Sequence, residues 1–406
     1  MLPSTTDVLV VGAGPTGLAL AISLQQAGIA HVLVDTRAEI QNTSRAAVIH
    51  AHTLDMLDSL GVSARLAAAG LKLTTFTIRD RDRQLLRVPF GRLPTSHPYL
   101  LMLPQDATER ILTDRLTSIG GRIHRGVTAT RLQHGPAAVE ATLDTGHGEH
   151  ALIARFVVGA DGMHSVVRAT IGTDFTGSTY EESFVLADVR MNWSHGRDDV
   201  QLFFSPDGRV VVAPLPGGEF RIVATLDNAP EHPAASDVQA LVQARGPSRG
   251  TSEVTDVLWS SRFRIHHRLA DSYGDRSLFL IGDAAHVHSP AGGQGMNTGL
   301  VDAVVLGHLI AGELRDPSSS RSIRDRYQQL RRPAAEQVLG LAGRLTTMAT
   351  MKHPVARGLR NVALTLLDHV PPAKHAIAMN LSGLSRRRFT GNTGDSGAAQ
   401  VALAGQ

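Results

Sequence analysis

Between Gly282 and Gly299 the chain reads GDAAHVHSPAGGQGMNTG, with five glycines in eighteen residues and two histidines one residue apart. Two chemistries suit such a stretch. On an extended segment His286 and His288 would share a face and offer imidazole nitrogens to a metal. Alternatively, the glycines would present bare backbone to a flat or anionic ligand. Two histidines are too few for a closed metal site, and no further ligands stand at the customary spacings. The chain also has no cysteine, which removes thiolate zinc sites, disulfides and thiol catalysis. No metal site is expected, and His286 reads as a packing and hydrogen-bonding residue beneath the loop.

A second glycine cluster stands at the start of the chain, in DVLVVGAGPTGLALAISLQQAGIAHVLVDTR. Here Gly12, Gly14 and Gly17 make GxGxxG, which demands particular elements around it. An apolar run, Val8 to Val11, predicts a buried strand; a helix follows from about Thr16 to Ala27; His31 to Val34 predicts a second strand ending at Asp35. The glycines permit a tight turn, close approach of backbone to a pyrophosphate and close helix–strand packing. Asp35, 23 positions after Gly12, suits a ribose diol. The motif alone does not choose between FAD and NAD.

Three more segments carry candidate groups. SRAAVIHAHTLDMLDSLGV places Arg45 in a loop before a helix over Thr53–Leu60, with His50 and His52 as possible bases or local hydrogen-bonding residues. LPQDATERILTDRL predicts a helix that starts near Gln105, with Asp106 as the expected N-cap. VVGADGMHSVVRATIG predicts a strand ending at Asp161-Gly162, then a helix carrying Ser165 and Arg168, well placed to hold a phosphate or order a nucleotide loop.

Taken together, GxGxxG at Gly12–Gly17, DGxxSxxR at Asp161–Arg168 and GDAAHxxxP at Gly282–Pro290 resemble the three fingerprints of the class A, p-hydroxybenzoate hydroxylase-like FAD-dependent aromatic monooxygenases. The resemblance spans roughly residues 5 to 385 and leans toward the phenol and aromatic polyketide hydroxylases through SRAAVIHAHTLDML, without a thioredoxin-like C-terminal domain. It implies bound FAD, with NAD(P)H and O2 as co-substrates and hydroxylation of an aromatic small molecule through a flavin C4a-hydroperoxide. It implies cofactor contacts from Gly12, Gly14, Gly17, Asp35, Arg45, Gln105, Asp161, Gly282, Asp283, Pro290, Gly293, Gly295, Met296 and Asn297. Asp283 would bond the ribityl chain, and the helix starting near Met296 would face the flavin with its positive end. No catalytic residue is fixed; His50, Pro290, Tyr99 and Arg221 are candidates. A flavin-dependent reductase of the same fold, without oxygen transfer, is the alternative. A halogenase is disfavoured because Trp193 and Trp259, the only tryptophans, cannot form WxWxIP.

The expected fold is α/β: a GxGxxG FAD-binding Rossmann-like domain with an inserted antiparallel-sheet substrate domain and C-terminal helices. The FAD-binding domain is expected from residues 1–70, 100–177 and 271–340, and the substrate domain from 71–99 and 178–270. C-terminal helices over 341–385, broken at Pro354 and Pro371-Pro372, would lead to a loose tail, 386–406. The turn SPDGR between apolar runs predicts a hairpin. Substrate-pocket candidates are Phe90, Tyr99, Met102, Phe203, Pro214 and Arg221. A net charge of only +3, made of 37 arginines and 3 lysines spread along the chain, gives no nucleic-acid stripe. With no run of 18 apolar residues and no signal-peptide pattern, a cytoplasmic protein is expected. Membrane contact is not expected, since basic amphipathic helices such as those after Leu341 usually pack on their own protein. The oligomeric state, monomer or homodimer, is left open.

Overall fold

A computed structural model describes all residues except 1, 40–45, 227–228, 291, 317–321, 350, 352 and 395–406. In chain order the elements used below are strand β1 (Thr5–Val11), helix α1 (Pro15–Gln26), β2 (His31–Asp35), α2 (Ala51–Asp58), β3 (Thr75–Asp80) and β4 (Arg83–Pro89). Next come α3 (Gln105–Ser118), β5 (Ile123–Arg125), β6 (Glu149–Gly159), α4 (Val166–Ile171), β7 (Phe175–Trp193), β8 (Asp199–Ser205), β9 (Gly208–Pro214) and β10 (Phe220–Thr225). Then follow α5 (Ala235–Arg245), β11 (Ser252–Ala270), β12 (Leu278–Leu280), β13 (His286–Val287), α6 (Gly295–Arg315), α7 (Ile323–Ala349), α8 (Pro354–Asp368) and α9 (Pro371–Leu381).

The first sheet is eight-stranded and mixed: β12-β6-β1-β2-β5 run parallel, and the strands Thr128–His134, Val139–Asp144 and Gly274–Asp275 join them antiparallel. Its central strands are continuous apolar runs, as burial on both faces requires; Val8, Leu9, Val10, Leu33, Val157 and Val158 are fully buried. Helices α1 and α6 lie against one another beside this sheet. Gly299 makes that possible, and Gly17 lets α1 start hard against the ends of the neighbouring strands. A methyl group at Gly17 would lie 1.8 Å from Gly12 O, and one at Gly299 would lie 2.6 Å from Thr16 Oγ1.

The second sheet runs β13-β11-β7-β10-β9-β8-β3-β4. The SPDGR hairpin forms, pairing β8 with β9. The sheet is not wholly antiparallel, however: β3 lies parallel to β8. Strands β3 and β4 form their own hairpin far earlier in the chain, so no tight turn dictates their direction against β8. Helix α5 covers one face, where Val238, Leu241 and Val242 join Val210, Val212 and Ile222 in a core cluster. Helices α8 and α9 pack near β4, with Leu364, Ala378 and Leu381 against Leu85, Leu86 and Val88. Pro354 and Pro371 open these two helices, as prolines at first-turn positions do.

Two expectations are corrected. Asp106 does not cap α3; Pro104 holds the N-cap position and Asp106 pairs with Arg110 one turn on. Residues 386–394 are not a loose tail. They belong to a run of 3-10 turns, Leu384–Gly394, in which Arg386 and Thr390 are buried.

Candidate active site

Four neighbouring strands of the first sheet end in a row, and the residues that follow them form one edge. Gly12 N donates to Val34 O at 2.8 Å, Ala160 N to Val11 O at 2.8 Å and Ile281 N to Gly159 O at 3.0 Å. Asp35, Gly12, Asp161 and Gly282 are therefore brought to the carboxyl ends of β2, β1, β6 and β12, where open α/β sheets hold ligands. Gly12 has φ +104°, and a side chain there would meet Ala160 O at 2.3 Å. Gly14 faces open space and stands at the N-cap of α1, with no side chain capping the helix. The unclaimed N–H groups of that first turn suit an anion.

The acidic groups at this edge are held rigidly. Asp35 accepts from Ala13 N at 2.7 Å and Arg37 N at 2.8 Å. Asp161 Oδ2 accepts from Val166 N at 2.8 Å, while Oδ1 is buried with no partner among the described residues. Burial raises the Asp161 pKa. Ser165 caps α4 by accepting from Arg168 N at 2.9 Å. The Arg168 guanidinium donates to Met163 O and Ala284 O and stacks on Phe175. It therefore ties the Asp161 loop to the Gly282–Ala284 turn, in keeping with a loop-ordering role.

The glycine-rich stretch is a turn leading into α6. Gly293 N donates to Pro290 O at 2.9 Å, and Gly292 and Gly293 have φ of +85° and +63°. A methyl group on Gly293 would meet Val48 Cγ1 at 2.1 Å, so this glycine is required by its support as much as by any ligand. Gly295 has no neighbour nearer than His288 at 3.9 Å from such a group. No side chain caps α6, and Asp283 stands exposed on the turn before it. Met296 is half-buried against the main core.

Beneath the turn lies a polar clasp that the motifs did not reveal. Asn297 donates to Val48 O and Gly293 O and accepts from His50 N at 2.8 Å. Its side chain is thus spent inside the protein, leaving its backbone N–H for a ligand. His50 Nε2 donates to Gly292 O at 2.8 Å. Burial, with Arg386 adding to it, lowers the His50 pKa to about 4 despite that bond. A ring so placed supports the turn and is not a proton acceptor open to a substrate. Gln294 donates to Leu381 O at 2.9 Å and accepts from Arg386 Nη2 at 2.7 Å. His52 is buried with neither ring nitrogen bonded among the described residues; burial, then Arg331, holds its pKa near 3.

Asp302 is a second hub. Its carboxylate accepts from His286 Nε2 and Arg331 Nε, both at 2.7 Å, and from Gly282 N at 3.2 Å. Burial would raise its pKa, but Arg331 and His286 outweigh that and hold the group ionised below the usual range. The signal was present in the sequence: an aspartate inside the apolar face LVDAVVL has to be paired.

Other candidates fall elsewhere. Gln105 opens α3, donating to Glu109 and accepting from Ala46 N. Arg45 lies outside the described residues. Arg221 stands on β10 with its guanidinium in a bidentate bond to Asp188, both contacts at 2.7 Å, and is only 3% exposed. Tyr99 is bonded through its hydroxyl to His97 Nδ1, and burial raises its pKa. Phe203 packs in the cluster under α5, and Phe90 and Met102 pack in the one under α9, so these three are core side chains. Pro214 is buried at the end of β9.

Comparison with known proteins agrees with this fold. Residues 5–342 match the family described as FAD binding domain. The chain is 34% identical to 6-methylpretetramide 4-monooxygenase of Streptomyces rimosus, over 97% of its own length and 72% of the relative. It is 32% identical to pentachlorophenol 4-monooxygenase of Sphingobium chlorophenolicum, over 82% of this chain and 63% of that one. Among solved structures, OxyS anhydrotetracycline hydroxylase from Streptomyces rimosus superposes with a TM-score of 0.79 at 32% identity, covering 94% of this chain and 76% of that one. The fold of p-nitrophenol 4-monooxygenase PnpA from Pseudomonas putida DLL-E4 superposes with a TM-score of 0.86 at 24% identity, covering 95% of this chain and all of that one.

Proposed function

The chain belongs to the FAD-binding family of flavin-dependent aromatic monooxygenases, and on that premise we propose that it hydroxylates a phenolic or polycyclic, polyketide-like small molecule. The observation that carries the reading is the meeting of two glycine-led, uncapped helix starts, α1 and α6, at Thr16, Gly282 and Gly299. The tetracycline-pathway and chlorophenol relatives support an electron-rich aromatic ring as the acceptor of oxygen.

The residues present fit FAD. Gly14 and the first turn of α1 leave room and free N–H groups for the pyrophosphate, and the orphaned Oδ1 of Asp161 asks for a donor. Asp35 would take the ribose hydroxyls, and Arg45 and Gln105 would reach the pyrophosphate or ribityl region. Asp283 would bond the ribityl chain. Gly293, Gly295, Met296 and Asn297 would seat the ring through backbone, with Pro290 closing the turn before them. When bound, FAD supplies the redox chemistry, accepting hydride from NAD(P)H and activating O2. The chain's own task is to position the ring, keep water away and place positive helix ends where negative charge gathers. We assign the sheet residues of 71–99 and 178–270 to the roof over the substrate. No protein nucleophile is needed, and none of the three titratable candidates suits a general base: His50 Nδ1 is unbonded among the described residues but buried beneath the turn, the Tyr99 hydroxyl is bonded to His97, and Arg221 is paired with Asp188. The reaction belongs in the cytoplasm, where NAD(P)H is at hand, and no described helix is long and apolar enough to cross a membrane.

The test is direct. Purified protein should be yellow and release FAD, not FMN, on denaturation. With NADH or NADPH and a panel of phenols and polycyclic aromatics, it should consume O2 and place an atom from labelled O2 in the product. Product without that atom would move the protein to the reductase alternative; a colourless protein that FAD cannot reconstitute would end the reading.

A further inference from the structure

Helix α8 is apolar on two sides: Leu364 is buried against Leu85, Leu86 and Val88, and a second apolar stripe faces outward. A helix packed on its own protein buries its apolar stripe and shows polar residues to solvent. Here Val355, Leu359, Val362 and Leu366 are 63%, 67%, 56% and 64% exposed. Three of its polar side chains are bonded on the inward side. Arg360 is buried, donates to Met348 O and stacks on Phe204. Asn361 donates to Asp80 Oδ2, and Asp368 accepts from Arg87 N and Lys374 Nζ.

The spacing of the exposed residues names the partner. Steps of four, three and four make alternating a and d positions of a heptad, the pattern of a helix–helix seam. A helix lying in a lipid surface shows a broader apolar face, aromatic anchors and basic residues along its margins. Between the seam residues, the exposed positions of α8 are Pro354, Gly358 and Ala363, with no aromatic and no charged residue. Glycine and alanine beside the seam allow two helix axes to come close.

The area also suits a second copy. Four large exposed side chains and Val370, 44% exposed just past the helix, offer apolar surface on the order of 500 Å². A standard interface buries about 800 Å² per partner, of which roughly 65% is apolar in homodimers, again about 500 Å². Antiparallel pairing about a two-fold axis would set Val355 against Leu366 of the other copy and Leu359 against Val362, so the seam is complementary to itself. Antiparallel helices also oppose their dipoles favourably. We propose that two copies of this chain associate through α8, paired antiparallel across a two-fold axis.

Sedimentation equilibrium of the full-length FAD-loaded protein should give the mass of two chains, and the double variant Leu359→Glu/Leu366→Glu should give one, with flavin content unchanged. The chain has no cysteine, so single introduced thiols report geometry cleanly. Val362→Cys, near the axis, should cross-link to itself on oxidation, and Val355→Cys, at the far end of the seam, should not. A single-chain mass for the unaltered protein, a dimer that survives the double variant, or equal cross-linking of both cysteine variants would each overturn the proposal. So would a monomer that instead sediments with vesicles of anionic phospholipid.

Discussion

His50 and His52 carry a pH prediction of their own. Burial depresses both pKa values, to about 4 and about 3, below the ~6.5 of an unfolded histidine. As pH falls below about 6.5 the unfolded chain therefore binds protons that the native rings refuse. These rings leave stability unaffected above that pH, and each should remove about 1.4 kcal/mol per pH unit on the way down toward pH 4. Urea midpoints should drop between about pH 7 and pH 5, and His52→Leu should flatten that slope by roughly half of what the pair contributes. An unchanged slope would mean that the native rings take up protons freely. Arg386 carries a second prediction. Its bond to Gln294 braces the glycine turn, and a charge-assisted bond of this kind contributes about 1.5–3 kcal/mol. Arg386→Gln should weaken FAD retention by roughly tenfold or more with a smaller loss of thermal stability, read by flavin release on dilution. Equal losses in both would make Arg386 a general packing residue. Neither bracing residue was legible in the sequence, because a bond between positions 92 apart leaves no local pattern. Gly12, Gly17 and Asp35 were legible because turn geometry and strand ends leave a local imprint.

Among the elements, α1 and β2 stand within a residue of where apolar runs and glycines place them, and β1 ends at Val11 as expected but begins three residues earlier, at Thr5. The direction of β3 against β8 was not readable, since alternation marks which side of a strand is buried but not which way its neighbour runs. Helix α8 shows a related limit: periodicity finds its apolar stripe but not whether the stripe faces in or out. The turn before α6 gives the sharpest element-scale prediction. Gly293→Val would force a side chain onto Val48 at a backbone angle of φ +63°. The variant should fold with nearly native circular dichroism yet lose most bound flavin, and a Val48→Ala second change should recover part of it. Loss of fold and flavin in step would show the turn to be a core element. On the same edge of the first sheet, Ser165→Ala should cost about 1 kcal/mol as α4 loses its cap, measured by urea unfolding.

For the molecule as a whole, the long strands β7 and β11, 19 residues each, join the cofactor sheet's neighbourhood to the sheet that we assign to the substrate. The sequence holds one GxGxxG, so a single dinucleotide cradle is available to FAD, and NAD(P)H has to approach along a surface shared with the substrate. Substrate that favours the NAD(P)H-accessible arrangement by about 1.4 kcal/mol shifts its population tenfold. The correct aromatic should therefore speed anaerobic flavin reduction by at least about tenfold in a stopped-flow measurement. Equal rates without any aromatic would remove that coupling. The clasp beneath the glycine turn has a further consequence, for biosynthesis. Leu381 O and Arg386, which hold Gln294, and Ser382 O, which accepts from His52 N, are translated long after Asp35. At about 5–20 residues per second, a ribosome finishes the adenosine cradle early, with Asp35. The ring seat waits until residues 381–386 have been made. A nascent chain can thus hold one end of a flavin long before it can grip the other. A message truncated shortly before codon 381 would yield a protein with an intact first sheet and an unbraced seat.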